Sequence, residues 1–402
     1  MNNHLNKRAD QCLDQRLDQR IHIVHLVYRF ATGGLENVIV QLVNGLPSAK
    51  FRHTVVAISE VDSTFAARIE GEDVEVIALH KPPGQPFELY PQVYRLLKKL
   101  KPDVLHSCNL AAMEFVPMAA LARVPLRVHA EHGWDVGELG GNNARYRFLR
   151  RIYKPFVHEF VAVAGPQKDY LQHSIGVPPQ HLHVIPNGVD TGRFRPWHEG
   201  DALPAGFPFQ RGKHWVIGTI GRQAPVKNPL LLVDAFIQLV QSKAPGTAGM
   251  RLVMAGDGPL HESIVQRIAE AGLNDKAWLA GVRADVPELL RAMDCFVLPS
   301  LSEATSCTLQ EAMATGLPII ATQVGGNAAL LENGRYGRLI PSEDTSALAG
   351  ELLTQYGLRV ESDHLAARAS IIRRYGLDGV LARYAALFGG ASGHQTQAVN
   401  SV

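Results

Sequence analysis

Two glutamates eight residues apart, Glu303 and Glu311, bracket the stretch of this chain with the most chemical promise. Residues 294–322 read DCFVLPSLSEATSCTLQEAMATGLPIIAT. The pattern predicts a buried strand over Cys295–Leu298, a polar loop after Pro299, and a helix from about Ser306 to Ala314. Backbone amides of Thr305, Ser306 and Cys307 would then stand at a helix N-terminus, where unpaired N–H groups and the macrodipole favour an anion. Eight residues of helix span ~12 Å. A glycosidase acid–base pair needs roughly 5–9.5 Å. The spacing therefore suits two ends of one extended ligand. The plainer alternative is a helix cap at Glu303 and a solvated charge at Glu311.

A second group follows the strand expected at Trp215–Ile220: Gly221-Arg222, then Lys227-Asn228. Negative charge on a bound phosphate group is commonly neutralised by a cation held by a D-x-D triplet. No D-x-D occurs in this chain. Arg222 as a bidentate fork and Lys227 as a point charge are the available substitutes, so neither a metal ion nor a cofactor is expected. Taken alone, the two are ordinary surface charges on a loop. Three weaker signals sit at other strand ends. Gly256-Asp257-Gly258-Pro259 reads as a turn with Pro opening a helix. Gly33-Gly34 reads as a tight strand-to-helix turn and lacks the dinucleotide fingerprint G-x-G-x-x-G. His132-Gly133 ends the strand expected at Leu126–Glu131.

These residues need a scaffold, and the sequence supplies an alternating one. Strands are expected at Ile21–Val27, His53–Ile58, Val74–Leu79, Asp103–His106, Leu126–Glu131, Glu159–Val163 and Leu182–Ile185, with amphipathic helices such as Leu35–Leu46, Tyr90–Leu100 and Tyr146–Val157 between them. Such alternation implies crossover units and a parallel sheet covered on both faces. From Pro186 to Gly212 periodicity fails, with four prolines and five glycines, as in a connection between domains. Alternation resumes at Trp215–Ile220, Arg251–Ala255, Ala277–Leu279, Cys295–Leu298 and Pro318–Ala321. The expected architecture is α/β, two doubly wound Rossmann-like domains with ligands at the strand carboxyl ends. The divisions are a polar leader over 1–20, domains over 21–190 and 191–365, and final helices with a tail over 366–402.

Composition narrows the class. The 402 residues carry 40 Lys plus Arg against 38 Asp plus Glu, a net charge of +2, which argues against a nucleic-acid coat. Cys12, Cys108, Cys295 and Cys307 show no C-x-x-C spacing, which argues against a zinc site or a disulfide framework. The leader has no apolar core of a signal peptide, and no run of 18 apolar residues occurs. A cytoplasmic protein is expected, at most peripheral at the inner face of the plasma membrane.

The segment Glu303–Gly326 resembles the E-x7-E signature and its continuation in family 4 retaining glycosyltransferases of GT-B fold: Q-E-A-M-A-T-G-L-P-I-I-A-T-Q-V-G-G follows from Gln310. The Arg222/Lys227-Asn228 group matches that family's G-R-(x)n-K-(N/G), Gly256–Pro259 its G-x-G-P, and Asn187–Asp190 its N-G-V-D. The likeness spans roughly residues 20–390. ALHKPPGQPFELYPQ (78–92) and EHGWD (131–135) resemble the transferases of bacterial exopolysaccharide clusters, including those beside PEP-CTERM and exosortase genes.

The resemblance implies that two domains face across a cleft, the second binding a nucleotide-sugar donor (UDP by default) and the first a glycan or polyprenyl-diphosphate-linked acceptor. By the same resemblance Glu311 holds the ribose, Glu303 faces the sugar, and the Thr305–Cys307 amides approach the diphosphate. Gly33, Gly34 and His132 lie near donor and acceptor, Asn187 at the hinge and Gly258 near the base. Three positions depart from the family: Cys108 and Trp134, where relatives often have Arg, and Ala329, where they often have Glu. A nucleotide-sugar epimerase, a nicotinamide-dependent oxidoreductase and a non-catalytic nucleotide-binding scaffold are the rival readings. Residues 145–157, RYRFLRRIYKPFV, place Arg147, Arg150, Arg151 and Lys154 on one helical face, either a solvated face or a contact for anionic lipid.

Overall fold

The computed structural model describes residues 19–71, 73–82, 84, 87–133, 141–303, 305–358 and 362–391. The leader (as far as residue 18), Trp134 and the tail beyond 391 therefore lie outside the described residues.

The chain forms two compact units, one running to Pro186 and regaining the chain from Asp378, the other Asn187–Leu377. Each is a wholly parallel sheet. In the first, β1 (Ile21–Val27), β2 (Phe51–Ala57), β3 (Glu75–Ala78), β4 (Val104–Cys108), β5 (Leu126–Glu131), β6 (Glu159–Ala162) and β7 (Leu182–Val184) lie in the order β3-β2-β1-β4-β5-β6-β7. In the second, β8 (Trp215–Ile220), β9 (Met250–Ala255), β10 (Ala277–Gly281), β11 (Cys295–Leu298), β12 (Ile319–Thr322) and β13 (Arg338–Ile340) lie in the order β10-β9-β8-β11-β12-β13. Both orders reverse direction beside the first strand of the unit, at β1/β4 and at β8/β11. Crevices beyond the strand carboxyl ends form at such switch points.

β-Branched and aliphatic runs build these sheets because both faces are covered. Around the first sheet, Ile39, Leu42, Phe51 and Val55 pack on one face and Val24, Leu105, Met113 and Phe160 on the other, all nearly inaccessible. The second sheet is sandwiched likewise between clusters centred on Phe296 and Met313 and on Leu232 and Phe236.

Three differences from the sequence expectation have physical causes. The Pro186–Gly212 stretch is not a linker. Val189, Phe194 and Phe209 are buried in the second core, and Val189 exchanges backbone hydrogen bonds with Tyr375 and Leu377 at 2.9 and 3.0 Å. Proline and glycine there shape an irregular strap whose apolar residues still find the core. The return to the first unit starts at Asp378 rather than 366, because Ala367 and Ile371 of the helix Ser362–Tyr375 belong to the second core. Val380, Tyr384 and Phe388 of the helix Leu377–Gly389 belong to the first. The strand β13 escapes prediction, being three residues at a sheet edge with an exposed arginine.

The expected basic face of 145–157 is also corrected. The helix runs Ala144–Tyr153, capped by Asn143, and continues as a 3-10 turn over Lys154–Phe156. Arg150 points inward, buried against Glu131 at 2.5 and 3.2 Å. Arg151 donates to the Ser174 carbonyl at 2.6 Å and Lys154 to that of Gly176 at 3.0 Å, so both satisfy the end of the Tyr170–Ile175 helix. Phe148, Ile152 and Phe156, one turn apart, are exposed alongside Arg151.

Candidate functional site

Asn228 shows how backbone geometry prepares the second unit's site. A 3-10 turn, Pro225–Lys227, follows β8, and Asn228 then enters the next helix with φ +46°. Asparagine and glycine tolerate that left-handed conformation, which explains the pairing of Lys with Asn here. The turn is tied across the switch point, since the Leu301 amide donates to the Val226 carbonyl at 2.8 Å. Lys227 Nζ lies 2.6 Å from Glu303 Oε1, and the Ser300 hydroxyl donates to the same oxygen at 2.7 Å. Glu303 is buried, whereas Lys227 keeps about a third of its side chain in solvent. An ammonium held on one side by a carboxylate and open on the other is oriented for a second anion.

Beneath Glu303 the packing is close. Gly325 has φ +51°, and a Cβ there would stand 1.6 Å from the Glu303 carbonyl oxygen. The Gly326 amide donates to that same carbonyl at 3.2 Å. The Gly325-Gly326 pair, read from sequence only as part of a motif, therefore fixes the backbone that carries Glu303.

The helix after this loop runs Cys307–Thr315, one residue later than expected, with Ser306 as its cap and Gly316 closing it at φ +77°. Ser306 Oγ accepts from the Leu309 amide at 3.3 Å, so Ser306 is spent on the cap. Thr305 and Cys307 are half-buried. Asn187 donates to Cys307 Sγ at 3.4 Å, pinning the start of the second unit to this helix end. Burial first, and then the Glu311 carboxylate one turn on, push the Cys307 thiol up to about 11; Asn187 and Lys227 oppose the shift and Glu303 adds to it. One sulfur thus senses Glu311, Asn187, Glu303 and Lys227. These four, together with the Thr305–Cys307 turn, are brought together.

Arg222, five residues before Lys227, is exposed, with no ion pair or side-chain hydrogen bond to any described residue. Its loop is rigid. Gly221 and Gln223 donate backbone hydrogen bonds to Ala255 and Asp257 at 3.0 and 2.9 Å, and buried Gln223 donates through its side chain to the Gly256 carbonyl at 3.1 Å. A Cβ at Gly256 would lie 2.0 Å from the Gly221 oxygen, and one at Gly258 2.6 Å from the Gln223 oxygen. Glycine at 258 is thus required by the packing of two loops. Gln223 and Ser300 were not anticipated, since neither shows a spacing that marks it.

In the first unit, Gly33 caps the helix Gly34–Gly45 in extended conformation, and its Cβ direction is filled by the Glu36 carboxylate at 2.1 Å. Burial raises the Glu36 carboxyl. His132, half-buried, has its amide held by Asn109 Oδ1 at 2.8 Å. Nearby Glu131 is fully enclosed. Burial alone would raise its carboxyl, yet Arg150 and His129 bring it down to about 2.

Comparison with known proteins now supplies a family. The model described as "Glycosyltransferase Family 4" matches residues 32–193, and that for "Glycosyl transferases group 1" matches 214–356. An Escherichia coli protein named UDP-Gal:alpha-D-GlcNAc-diphosphoundecaprenol alpha-1,3-galactosyltransferase is 31% identical over 267 residues, 65% of this chain and 68% of its own. The lipopolysaccharide core mannosyltransferase LpsB of Rhizobium meliloti is 33% identical over 172 residues, 41% of this chain and 48% of its own. The structure of Anabaena Alr3699/HepE with UDP and glucose superposes with TM-score 0.74 at 20% identity, over 92% of this chain and all of that one, a likeness of fold. Two doubly wound units, an E-x7-E helix facing an Arg/Lys loop, and matches across both halves have one reading: the chain belongs to glycosyltransferase family 4 and has the GT-B fold.

Proposed function

We propose that this glycosyltransferase moves a hexose, with retention, from a UDP-sugar to a glycan or polyprenyl-diphosphate-linked acceptor in bacterial exopolysaccharide synthesis. The observation that carries this reading is the Lys227–Glu303 pair at the mouth of the Cys307 helix, with Arg222 exposed on the loop that carries Lys227. Arg222 and Lys227 receive the diphosphate, Glu303 orients Lys227 and faces the sugar, and the Thr305–Cys307 amides add the helix dipole. Glu311 holds the ribose. Asn187 and Gly258 support the two loops that line the donor, and Gly33, Gly34 and His132 serve from the first unit. The acceptor oxygen attacks the anomeric carbon on the face from which the diphosphate departs. The bond to the phosphate oxygen breaks, and that oxygen takes the acceptor proton. No protein nucleophile is required, and Arg222 with Lys227 makes a metal unnecessary. UDP and a lipid-linked acceptor are supported by the name of the E. coli relative and by the nucleotide in the Anabaena structure.

A cytoplasmic location with peripheral contact at the inner membrane follows from such an acceptor. Exposed Phe148, Ile152 and Phe156, with Arg145 and Arg147 on the same helix, give that contact apolar and cationic character.

Incubation with a panel of nucleotide sugars, with and without polyprenyl-diphosphate acceptors and with excess chelator, tests the proposal. Transfer that releases UDP only when acceptor is present, and persists in chelator, is expected. An altered nucleotide sugar formed without acceptor would mean an epimerase, and binding without turnover a scaffold.

A further inference from the structure

The first sheet contains a row of histidines that the transferase reading leaves unused. Strand register sets His25 of β1 beside His106 of β4, and His53 of β2, paired with Ile23, falls on the same face on the diagonal. Their rings join across the strands. His25 Nε2 lies 3.0 Å from His53 Nδ1, and His25 Nδ1 lies 3.0 Å from His106 Nδ1. All three are buried. A neutral imidazole has one donor and one acceptor nitrogen. Two proton arrangements satisfy both contacts, and they run in opposite directions along the row.

In one of them His106 donates from Nδ1 to His25, and His25 donates from Nε2 to His53. That arrangement leaves the His106 Nε2 lone pair uncommitted, and Cys108 Sγ lies 3.8 Å from this nitrogen. His106 and Cys108 are two residues apart on one strand and share a face. Cys108 pairs in register with Ala130, so His132, two residues further on, comes to the same face. One ligand atom from each of His106, Cys108 and His132 lies within 4.8 Å of the others. A zinc ion with ordinary Zn–S and Zn–N bonds sets sulfur and nitrogen roughly 3.6 Å apart. The His106–Cys108 pair already has that separation. The edges of Tyr384 and Phe388 meet the His106 ring at centroid distances of 5.8 and 5.4 Å and restrain it.

We propose that His106, Cys108 and His132 form a binding site for a borderline-soft transition-metal ion such as Zn²⁺, and that occupancy inhibits turnover by immobilising His132. Binding forms the metal–sulfur bond and releases the thiol proton to solvent, with no change of oxidation state. His25 is the outer partner that accepts from Nδ1 of His106, as metal-bound histidines require. The fourth position stays open to water. Expectation from C-x-x-C spacing missed this set because two ligands sit at i and i+2 of one strand and the third follows the neighbouring strand. The inhibitory part rests on the role given above to His132; the binding part does not.

Titration of the chelator-treated full-length protein with Co²⁺ tests the site directly. A near-ultraviolet thiolate-to-cobalt charge-transfer band should saturate at one equivalent and bleach when Zn²⁺ is added. Cys108→Ser and Cys108→Ala should lose the band, while His106→Asn and His132→Asn should weaken binding at least tenfold. Thermal unfolding of each variant separates loss of ligand from loss of fold. No band in the wild type, or a band that both Cys108 variants keep, overturns the site. In the transferase assay, Zn²⁺ should lower the wild-type rate at least tenfold, chelator should restore it, and Cys108→Ser should show no change against its own metal-free rate. Cobalt binding without zinc inhibition overturns the inhibitory role. Failure of the transferase reading would appear separately, as absent turnover in the metal-free wild type.

Discussion

The two sheets share a strand order about their switch points but keep their polar residues in different places. The central strands of the first, IHIVHLV, FRHTVVA, VLHSC and LRVHAE, carry His22, His25, His53, His106, His129 and Glu131 into the interior. The central strands of the second, WVIGTI, MRLVMA, CFVL and IIAT, contain no histidine, and their one charged residue, Arg251, is only half-buried. The ionisable groups of the candidate site stand beyond the strand ends, at Arg222, Lys227, Glu303 and Glu311. A charge in a strand-end loop can exchange a protein partner for a ligand, whereas a charge inside a sheet must be neutralised by the fold itself. The first unit therefore ties its stability to protonation, whereas the second leaves Arg222 and Lys227 reachable from solvent.

The largest expected effect tests the interior of the first unit. Arg150→Ala leaves the Glu131 carboxylate buried without its main counter-charge and should cost about 3–5 kcal/mol in denaturant unfolding. Adding Glu131→Gln should recover part of the loss. A loss below about 1 kcal/mol would break the contrast.

Lys227→Ala and Arg222→Ala should act the other way round. Each should lower the rate by roughly 10²–10³, the scale for removing one preorganised charge-stabilising group. Stability should hold, because a pair whose lysine is a third exposed contributes little to folding. Kinetics and calorimetry on the same preparation decide this.

Acid should separate the units. His53 is lowered to about 4, and His25 and His106 are also lowered, all chiefly by burial. The unfolded chain binds protons there first, so stability is complete above about pH 6.5 and declines below it, by about 1 kcal/mol per histidine one unit lower. Glu131, depressed to about 2, adds a further loss as pH falls below about 4.3. Hydrogen exchange, corrected for intrinsic rates, should show β1 losing protection between pH 6.5 and 5 while β8 keeps it. Equal losses would remove the distinction.

The smallest effect is the most specific. Glu311→Ala should weaken UDP binding by about 1.5–3 kcal/mol and leave protection of β1 untouched. Unchanged affinity by calorimetry in a folded variant would end the ribose assignment.

Sequence reading recovered what is local. β1, β5, β8 and β11 have the predicted limits, because an unbroken apolar run between turn residues defines a buried parallel strand. It selected Lys227 and Glu303 from separate motifs, but that they touch, 76 residues apart, depends on the β8/β11 adjacency. Arg150 was misjudged because helical periodicity sorts charges outward and is blind to Glu131 waiting on another element. Gly325 was visible only as a motif letter, since its need to be glycine arises from the Glu303 backbone passing over it. Cys108 and His132 belong to a set joined through strand register, which no linear spacing rule describes.

The last helix adds a consequence for synthesis. Val380, Tyr384 and Phe388 complete a core whose earlier members, Ile23 and Val27, leave the ribosome long before them. The 191 residues from Asn187 to Leu377 are made in between, which takes roughly 10–40 s at ordinary rates of elongation. For that interval the first sheet is exposed where Tyr384 and Phe388 will later cover His25 and His106. The unit translated first is thus the last to be sealed, and a stop codon before Leu377 would leave it permanently open.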